Sequence, residues 1–326
     1  MKIKKKSSGL IILAILAIGF GWFAFGGEDP DPEDVNSQIN EREISNSEDE
    51  KNRDYLIERN RGVEVAEIKA EAAYSIYVED EESQILFSRN RNEKLPIASL
   101  TKLMTALVVY NNYDLSEPIG IPDSDYFTNR HLNNLRVFSD TTFEELLYPL
   151  LLESNNSGAY AAATAPEDVE FDDFISLMNK TADNLGMTRT TYHNPSGLDT
   201  VRDVNLSTAR DTAKLTKHLL DIPLFWEIME KRSYEVRSRR SGTYYLVQTT
   251  NKFLDGSYFN NSYPEWYDNI IGGKTGFTYE AMGCLVMVLE AEDGYMINVV
   301  LGASGREERF QEMEKLIDWI HKAYNI

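Results

Sequence analysis

The chain holds a single cysteine, Cys284, in 326 residues. No internal disulfide can form, and no cysteine-rich metal site can be assembled. Histidine is almost as scarce. His131, His193, His218 and His321 are scattered without metal-ligand spacing, so neither a metal nor any other cofactor is implied. Basic residues are in deficit, with 33 Lys and Arg against 53 Asp and Glu and a formal net charge of −20. Nucleic-acid phosphates would be repelled by such a chain, which excludes them as partner. Apolar residues are not lacking. Hydrophobic side chains make up 42% and aromatics 11%, enough for a substantial core and against general disorder. Cys284 sits in the apolar run Cys284-Leu285-Val286-Met287-Val288 with no Cys–His pair near it, so it reads as a buried strand residue.

Long apolar runs are absent except at the start. Residues 1–8 carry Lys2, Lys4, Lys5 and Lys6, and residues 9–27 form an apolar stretch at the short end of the length that spans a bilayer. Lysines before the stretch place the N-terminus inside, so residues 28 onward are expected outside, on a single-pass membrane anchor. The alternative is a signal peptide, cleavage of which would leave a secreted protein; Ala24-Phe25-Gly26 is a poor cleavage site. Residues 28–61 contain 12 acidic and 5 basic side chains and few apolar ones. That composition cannot offset its ordering entropy by burial and predicts an extended, flexible tether. Residues 62–326 form the folded domain.

Within that domain, Ala72–Val78 and Gln84–Ser88, separated by Asp80–Ser83, predict a β-hairpin. Helical periodicity covers 98–110, 168–185 and 207–221. Thr142-Phe143-Glu144-Glu145 is a capping box that opens a further helix, kinked or ended near Pro149. Strand runs come next at 243–250, 270–277, 283–290 and 295–303, and an amphipathic helix at 306–323 closes the chain. Strands, then helices, then strands with one helix predict an α+β fold. An antiparallel sheet would be flanked by helices, with an all-helical subdomain.

Three short segments carry chemistry. In Ser99-Leu100-Thr101-Lys102 a helical turn puts the hydroxyl and the amine on one face. An amine whose pKa is lowered by burial can take the proton that makes a serine nucleophilic. Alone, the segment reads more readily as a solvated helix start with an exposed lysine. Ser154-Asn155-Asn156 comes directly after the capped helix and can turn a hydroxyl and an amide toward one cleft, although Ser and Asn are also ordinary helix-terminating residues. In Gly272-Gly273-Lys274-Thr275-Gly276-Phe277 a lysine inside a strand is bracketed by glycines, which mark close approach of backbone or ligand. A phosphate-binding loop is excluded, because Asp268 stands where that motif needs glycine.

In this order the three segments match the set shared by penicillin-binding proteins and class A β-lactamases. Over residues 70–322 the chain resembles the D-alanyl-D-alanine carboxypeptidases of the low-molecular-mass penicillin-binding class, peptidase family S11. The likeness rests on Leu95–Ala106, Leu150–Asn156, His193–Asp199, Leu206–Asp211 and Gly272–Thr278. Two departures stand out: Asn155 occupies a position that is usually glycine in the family, and the chain stops at Ile326 after one helix. The resemblance therefore implies a shift of the membrane anchor from the C-terminus to residues 9–27.

The resemblance implies acyl transfer on peptidoglycan stem peptides ending in D-Ala-D-Ala, with β-lactam antibiotics as acylating ligands. Ser99 is the implied nucleophile and Lys102 its base. Ser154 relays a proton, and Asn156 orients Lys102 and the substrate. Lys274, Thr275, Gly276 and Phe277 are the implied substrate-binding strand, with the backbone N–H groups of Ser99 and Phe277 as oxyanion hole. Arg309 matches a family arginine near the carboxylate pocket; its plain reading is a surface side chain pairing with Glu308 or Glu312. Alternatives are a DD-endopeptidase acting on cross-links and a serine β-lactamase. A class A β-lactamase places a deacylating glutamate on a loop beyond the middle serine, and the corresponding Thr188–Asp199 has none.

Overall fold

The computed structural model describes residues 57–119, 141–165, 170–199, 203–237, 242, 244–260 and 262–326. The expected anchor (9–27) and most of the expected tether lie outside the described residues. Among the described residues no helix is long and apolar enough to cross a membrane. The domain is one compact unit, Tyr55–Ile326. It takes in the last residues expected in the tether: Ile57 N–H donates to Gln84 Oε1 at 3.0 Å, and the Arg59 guanidinium lies 5.2 Å from the centroid of the Trp319 ring.

The chain enters with β1 (Ala72–Glu79) and β2 (Glu82–Arg89), closed by a two-residue turn in which Asp80 takes a left-handed φ of 49°. The short β3 (Leu95–Pro96) leads to a 3-10 turn, Ala98–Leu100, and then α1 (Thr101–Asn112). Thr101 to Val109 are all buried, because α1 runs through the middle of the helical subdomain. Around it pack α2 (Phe143–Leu151), α3 (Asn156–Thr164) and α4 (Phe171–Asn184). The capping box of α2 forms as expected: Thr142 Oγ1 accepts from Glu145 N at 3.2 Å and Glu145 Oε2 from Thr142 N at 2.8 Å. Pro149 does not end the helix but sits inside it.

The two-residue β4 (Leu206–Ser207) pairs with β3, and α5 (Ala209–Leu220) and α6 (Pro223–Met229) come after it. The run expected as one strand over 243–250 is half of a separate hairpin. Its strands are β5 (Ser233–Arg237) and β6 (Tyr244–Gln248), succeeded by a single helical turn, α7 (Lys252–Asp255). Last come β7 (Ile270–Thr278), β8 (Met282–Ala291), β9 (Gly294–Ala303) and α8 (Glu308–Tyr324).

The main sheet has the order β2-β1-β9-β8-β7 and is antiparallel throughout. The fold is α+β, as the sequence indicates. Both faces of the sheet are covered, which explains why β8 reads as an unbroken apolar run rather than an alternation. Cys284, Val286 and Val288 pack with the helical subdomain, while Leu285, Met287 and Leu289 pack under α8. Buried Leu, Ile, Val and Phe side chains each contribute about 1.5–3 kcal/mol. Two cores on one sheet therefore hold β7, an edge strand, in a fixed place beside α1.

Candidate active site

The first element of the site is the 3-10 turn at the start of α1. Ala98, just before Ser99, is held at φ 46°, a left-handed conformation costly for a residue with a Cβ. Gly197, at φ 74°, packs against it: a Cβ there would run into the Ala98 carbonyl. This packing, plus the helix that comes next, points Ser99 into the cleft at a helix N-terminus, where developing negative charge is favoured.

Lys102 lies one turn on and is fully buried. Its Nζ is 3.0 Å from Ser99 Oγ, 2.8 Å from Asn156 Oδ1 and 2.5 Å from the Ser196 carbonyl. A neutral amine has two N–H bonds and one lone pair. Asn156 and Ser196 accept the two N–H bonds, which leaves the lone pair facing the Ser99 hydroxyl. Burial lowers the Lys102 pKa from 10.5 to about 7, so this neutral form is well populated at ordinary pH.

The Ser196 carbonyl, which the sequence did not single out, is held by a buried polar network. Asn194 Oδ1 accepts from the N–H groups of Ser196 at 3.1 Å and Gly197 at 2.7 Å. Asn205 Nδ2 donates to the Asn194 carbonyl at 2.8 Å and to Thr101 Oγ1 at 2.9 Å. Thr105 Oγ1 donates to the Pro195 carbonyl at 2.6 Å. The loop 193–199 is thereby fastened to the helix that carries Lys102.

The second element is the elbow between α2 and α3. Ser154 has φ 63°, again left-handed. Asn155 is the N-cap of α3: its Oδ1 accepts from Gly158 N at 2.9 Å and its Nδ2 donates to Glu153 Oε1 at 2.6 Å. This accounts for asparagine where the family usually has glycine. The cap starts α3, and Asn156 in its first turn reaches Lys102. Tyr245 of β6 donates its hydroxyl to Glu153, 2.5 and 2.6 Å from the two carboxylate oxygens, and so buttresses the elbow from outside.

The third element is the edge strand β7. In register, Lys274 pairs with Val286 and so points to the helical side of the sheet. It is 1% exposed, and its Nζ donates to Ser154 Oγ at 2.8 Å and to the Thr275 carbonyl at 2.9 Å. Burial first, then the neighbouring Lys102 and Arg309 charges, holds its pKa well below the ordinary lysine value. Gly276 lies where a Cβ would stand 3.2 Å from the Ser99 backbone nitrogen and 3.0 Å from the Ile97 carbonyl, so a side chain there would crowd the turn that carries Ser99. Thr275 Oγ1 is 2.6 Å from Thr250 Oγ1.

Arg309 is not the surface residue its helical position suggests. It is 8% exposed and donates from Nη1 to the Gly276 carbonyl at 2.7 Å. Glu312, one of its two expected partners, instead accepts from Lys315 Nζ at 2.6 Å and from the Lys69 backbone N–H at 2.5 Å. Burial brings the Arg309 pKa down to about 10, so the guanidinium stays charged at neutral pH. Phe277 lies beyond Gly276 with the Arg306 guanidinium 4.2 Å from its ring centroid. Cys284 is fully buried in β8, and burial pushes its thiol up to about 12, where it is not a nucleophile.

Ser99, Lys102, Ser154, Asn156 and Lys274 thus converge on one cleft, with Thr275, Gly276, Phe277 and Arg309 along one wall. A weak hydroxyl faces a neutral amine, a second hydroxyl faces a second amine, and backbone donors line the edge of a strand. Such an arrangement suits acyl transfer through a covalent serine ester.

Residues 60–305 match the family described as D-alanyl-D-alanine carboxypeptidase. The chain is 30% identical over 275 residues to the D-alanyl-D-alanine carboxypeptidase DacF of Bacillus subtilis, covering 81% of this chain and 65% of that one. It is 33% identical over 252 residues to the D-alanyl-D-alanine endopeptidase of Pseudomonas aeruginosa, covering 76% and 77%. Among solved structures it is similar to penicillin-binding protein D2 from Listeria monocytogenes in its cefotaxime-bound form. The TM-score is 0.64 at 28% identity, over 79% of this chain and 99% of that one.

Proposed function

The chain belongs to the D-alanyl-D-alanine carboxypeptidase family, and on that premise we propose that it removes the terminal D-alanine from peptidoglycan stem peptides through an acyl-enzyme on Ser99. The observation that carries this reading is the fully buried Lys102 amine, 3.0 Å from Ser99 Oγ with its pKa lowered to about 7. Ser99 Oγ attacks the carbonyl between the two D-alanines while Lys102 accepts its proton. The oxyanion is taken by the backbone N–H groups of Ser99 and Phe277, a donor of this kind contributing on the order of 3 kcal/mol. Ser154, hydrogen-bonded to Lys274, gives its hydroxyl proton to the leaving D-alanine amine and is reprotonated with the proton that Lys102 took from Ser99, which leaves Lys102 neutral again. Water then hydrolyses the ester. Thr275 binds the substrate carboxylate, Lys274 and Arg309 supply positive potential, and Gly276 lets the peptide lie against β7.

A β-lactam presents a strained amide and a carboxylate in the same geometry, so it acylates Ser99 and stays. The Listeria relative is named in cefotaxime-bound form, which supports this. Mass spectrometry after penicillin treatment tests the proposal. One covalent adduct on the peptide that contains Ser99, absent in Ser99→Ala, is the expected result. Rapid turnover of the β-lactam with no adduct would favour a β-lactamase instead. The endopeptidase name of the Pseudomonas relative favours a second reading, cleavage of cross-links. Release of product from cross-linked muropeptides faster than from monomeric pentapeptide would select it.

We further propose that residues 9–27 anchor the enzyme in the membrane, with residues 28 onward outside. The support is the lysines before the run and its length. Expressed from the full chain, the protein should stay in the membrane fraction after alkaline carbonate washing. Recovery of a shortened form in the medium would point to cleavage.

A further inference from the structure

Thr250 joins the two sides of the cleft. Its backbone N–H donates to the Leu152 carbonyl, two residues before Ser154, at 3.0 Å. Its hydroxyl is 3.1 Å from that same carbonyl and 2.6 Å from Thr275 Oγ1. Thr250 is exposed, whereas Thr275 is 3% exposed.

Each hydroxyl carries one proton. Thr275 can bind an anionic oxygen only by giving it that proton. While Thr275 donates to Thr250, nothing remains for the ligand. The Leu152 carbonyl already accepts the Thr250 N–H, so it can release the Thr250 hydroxyl without being left unsatisfied. Turned the other way, Thr250 donates to Thr275 Oγ1 and Thr275 donates outward. A hydroxyl that receives a hydrogen bond is a stronger donor, since chained bonds polarise one another.

We propose that Thr250 is a positioning residue for recognition of the terminal carboxylate: it switches its proton from Leu152 to Thr275 when ligand binds, and so aims and strengthens the Thr275 donor. This rests on the role proposed for Thr275 in binding the substrate carboxylate. The discriminating measurement is kcat and KM for one acyl-D-Ala-D-Ala peptide, as the free acid and as the C-terminal carboxamide. In Thr250→Val the preference for the acid falls about tenfold through KM, with the carboxamide rate unchanged. Thr250→Ser keeps the wild-type preference. Thr250→Ala removes the same hydroxyl without a branched methyl and behaves as Thr250→Val, so one poorly folding variant does not decide the result. In a Thr275→Val background, Thr250→Val has no further effect.

A wild-type acid preference in both Thr250→Val and Thr250→Ala overturns the proposal. So do additive effects of the two threonine changes, which would mean that Thr250 meets the ligand itself. A wild-type protein that hydrolyses neither peptide brings down the carboxypeptidase reading, and this proposal with it; the other two outcomes leave that reading standing.

Discussion

At the scale of single residues the proposed mechanism turns on a lysine whose charged form is disfavoured by burial. Lys102 must be neutral to accept the Ser99 proton, and its charged form prevails below its pKa of about 7. The second-order rate of acylation by a fluorescent penicillin should therefore fall tenfold per pH unit below about 7 and level off above it. A rate still climbing at pH 9 would contradict the assignment. By linkage, the unfolded chain binds more protons at this amine than the folded one between about 7 and 10.5, so this residue makes stability rise with pH over that range. Gly197 is the other decisive position. Gly197→Ala adds a Cβ at φ 74° against the Ala98 carbonyl. We expect a loss of about 2–3 kcal/mol in urea unfolding and loss of acylation, because Ala98 and Ser99 move with it.

Between elements, the elbow at Ser154 depends on a hairpin far away in sequence. Tyr245→Phe keeps the ring and removes the hydroxyl that Glu153 accepts. Both residues are half-buried, so the stability loss should be about 1 kcal/mol. Acylation should slow as well, since this hydroxyl holds Glu153 beside the left-handed Ser154; an unchanged acylation rate would show the elbow to be rigid by itself. This contact marks where the sequence stops being legible. Strands β1 and β2 were readable as two strand-like segments around a turn, β8 and β9 as apolar β-rich runs, and β7 as a glycine-bracketed strand segment. Ser99, Lys102, Ser154, Asn156 and Lys274 were readable because fixed spacing and order identify them. The helix α3 was hidden because Asn155 looks like a residue that ends a helix, whereas it caps the next one. The plain surface reading of Arg309 fails because helical periodicity does not show that the Gly276 carbonyl waits across the interface. The Ser196 carbonyl carries no side-chain signal; only the asparagine-rich stretch around it hints at a held backbone.

For the whole molecule, charge and cleft pull in opposite directions. Residues 62–326 carry an excess of seventeen negative charges, yet the charged Arg309 guanidinium stands beside the cleft with Lys274. The acidic surface is felt out to about 30 Å at 0.01 M salt and about 8 Å at 0.15 M. Acylation by an anionic β-lactam should therefore speed up as salt is raised over that interval. Stopped-flow rates that drop instead would mean that attraction by the cleft dominates even at long range.

The order β2-β1-β9-β8-β7 has a consequence for how the chain comes into being. Among the described residues β1 is the first strand made, and it waits for the last, β9, as its second neighbour; within the sheet β7 is joined to β1 through β8 and β9. A nascent polypeptide leaving the ribosome carries Ser99 and Lys102 early but has no wall to set opposite them until residues near 303 have emerged. Maturation of the catalytic centre is thus a late, long-range event, slow in the way distant strand pairings are slow. Truncated chains ending before β9 should take up no fluorescent penicillin, however complete their serine and lysine motifs.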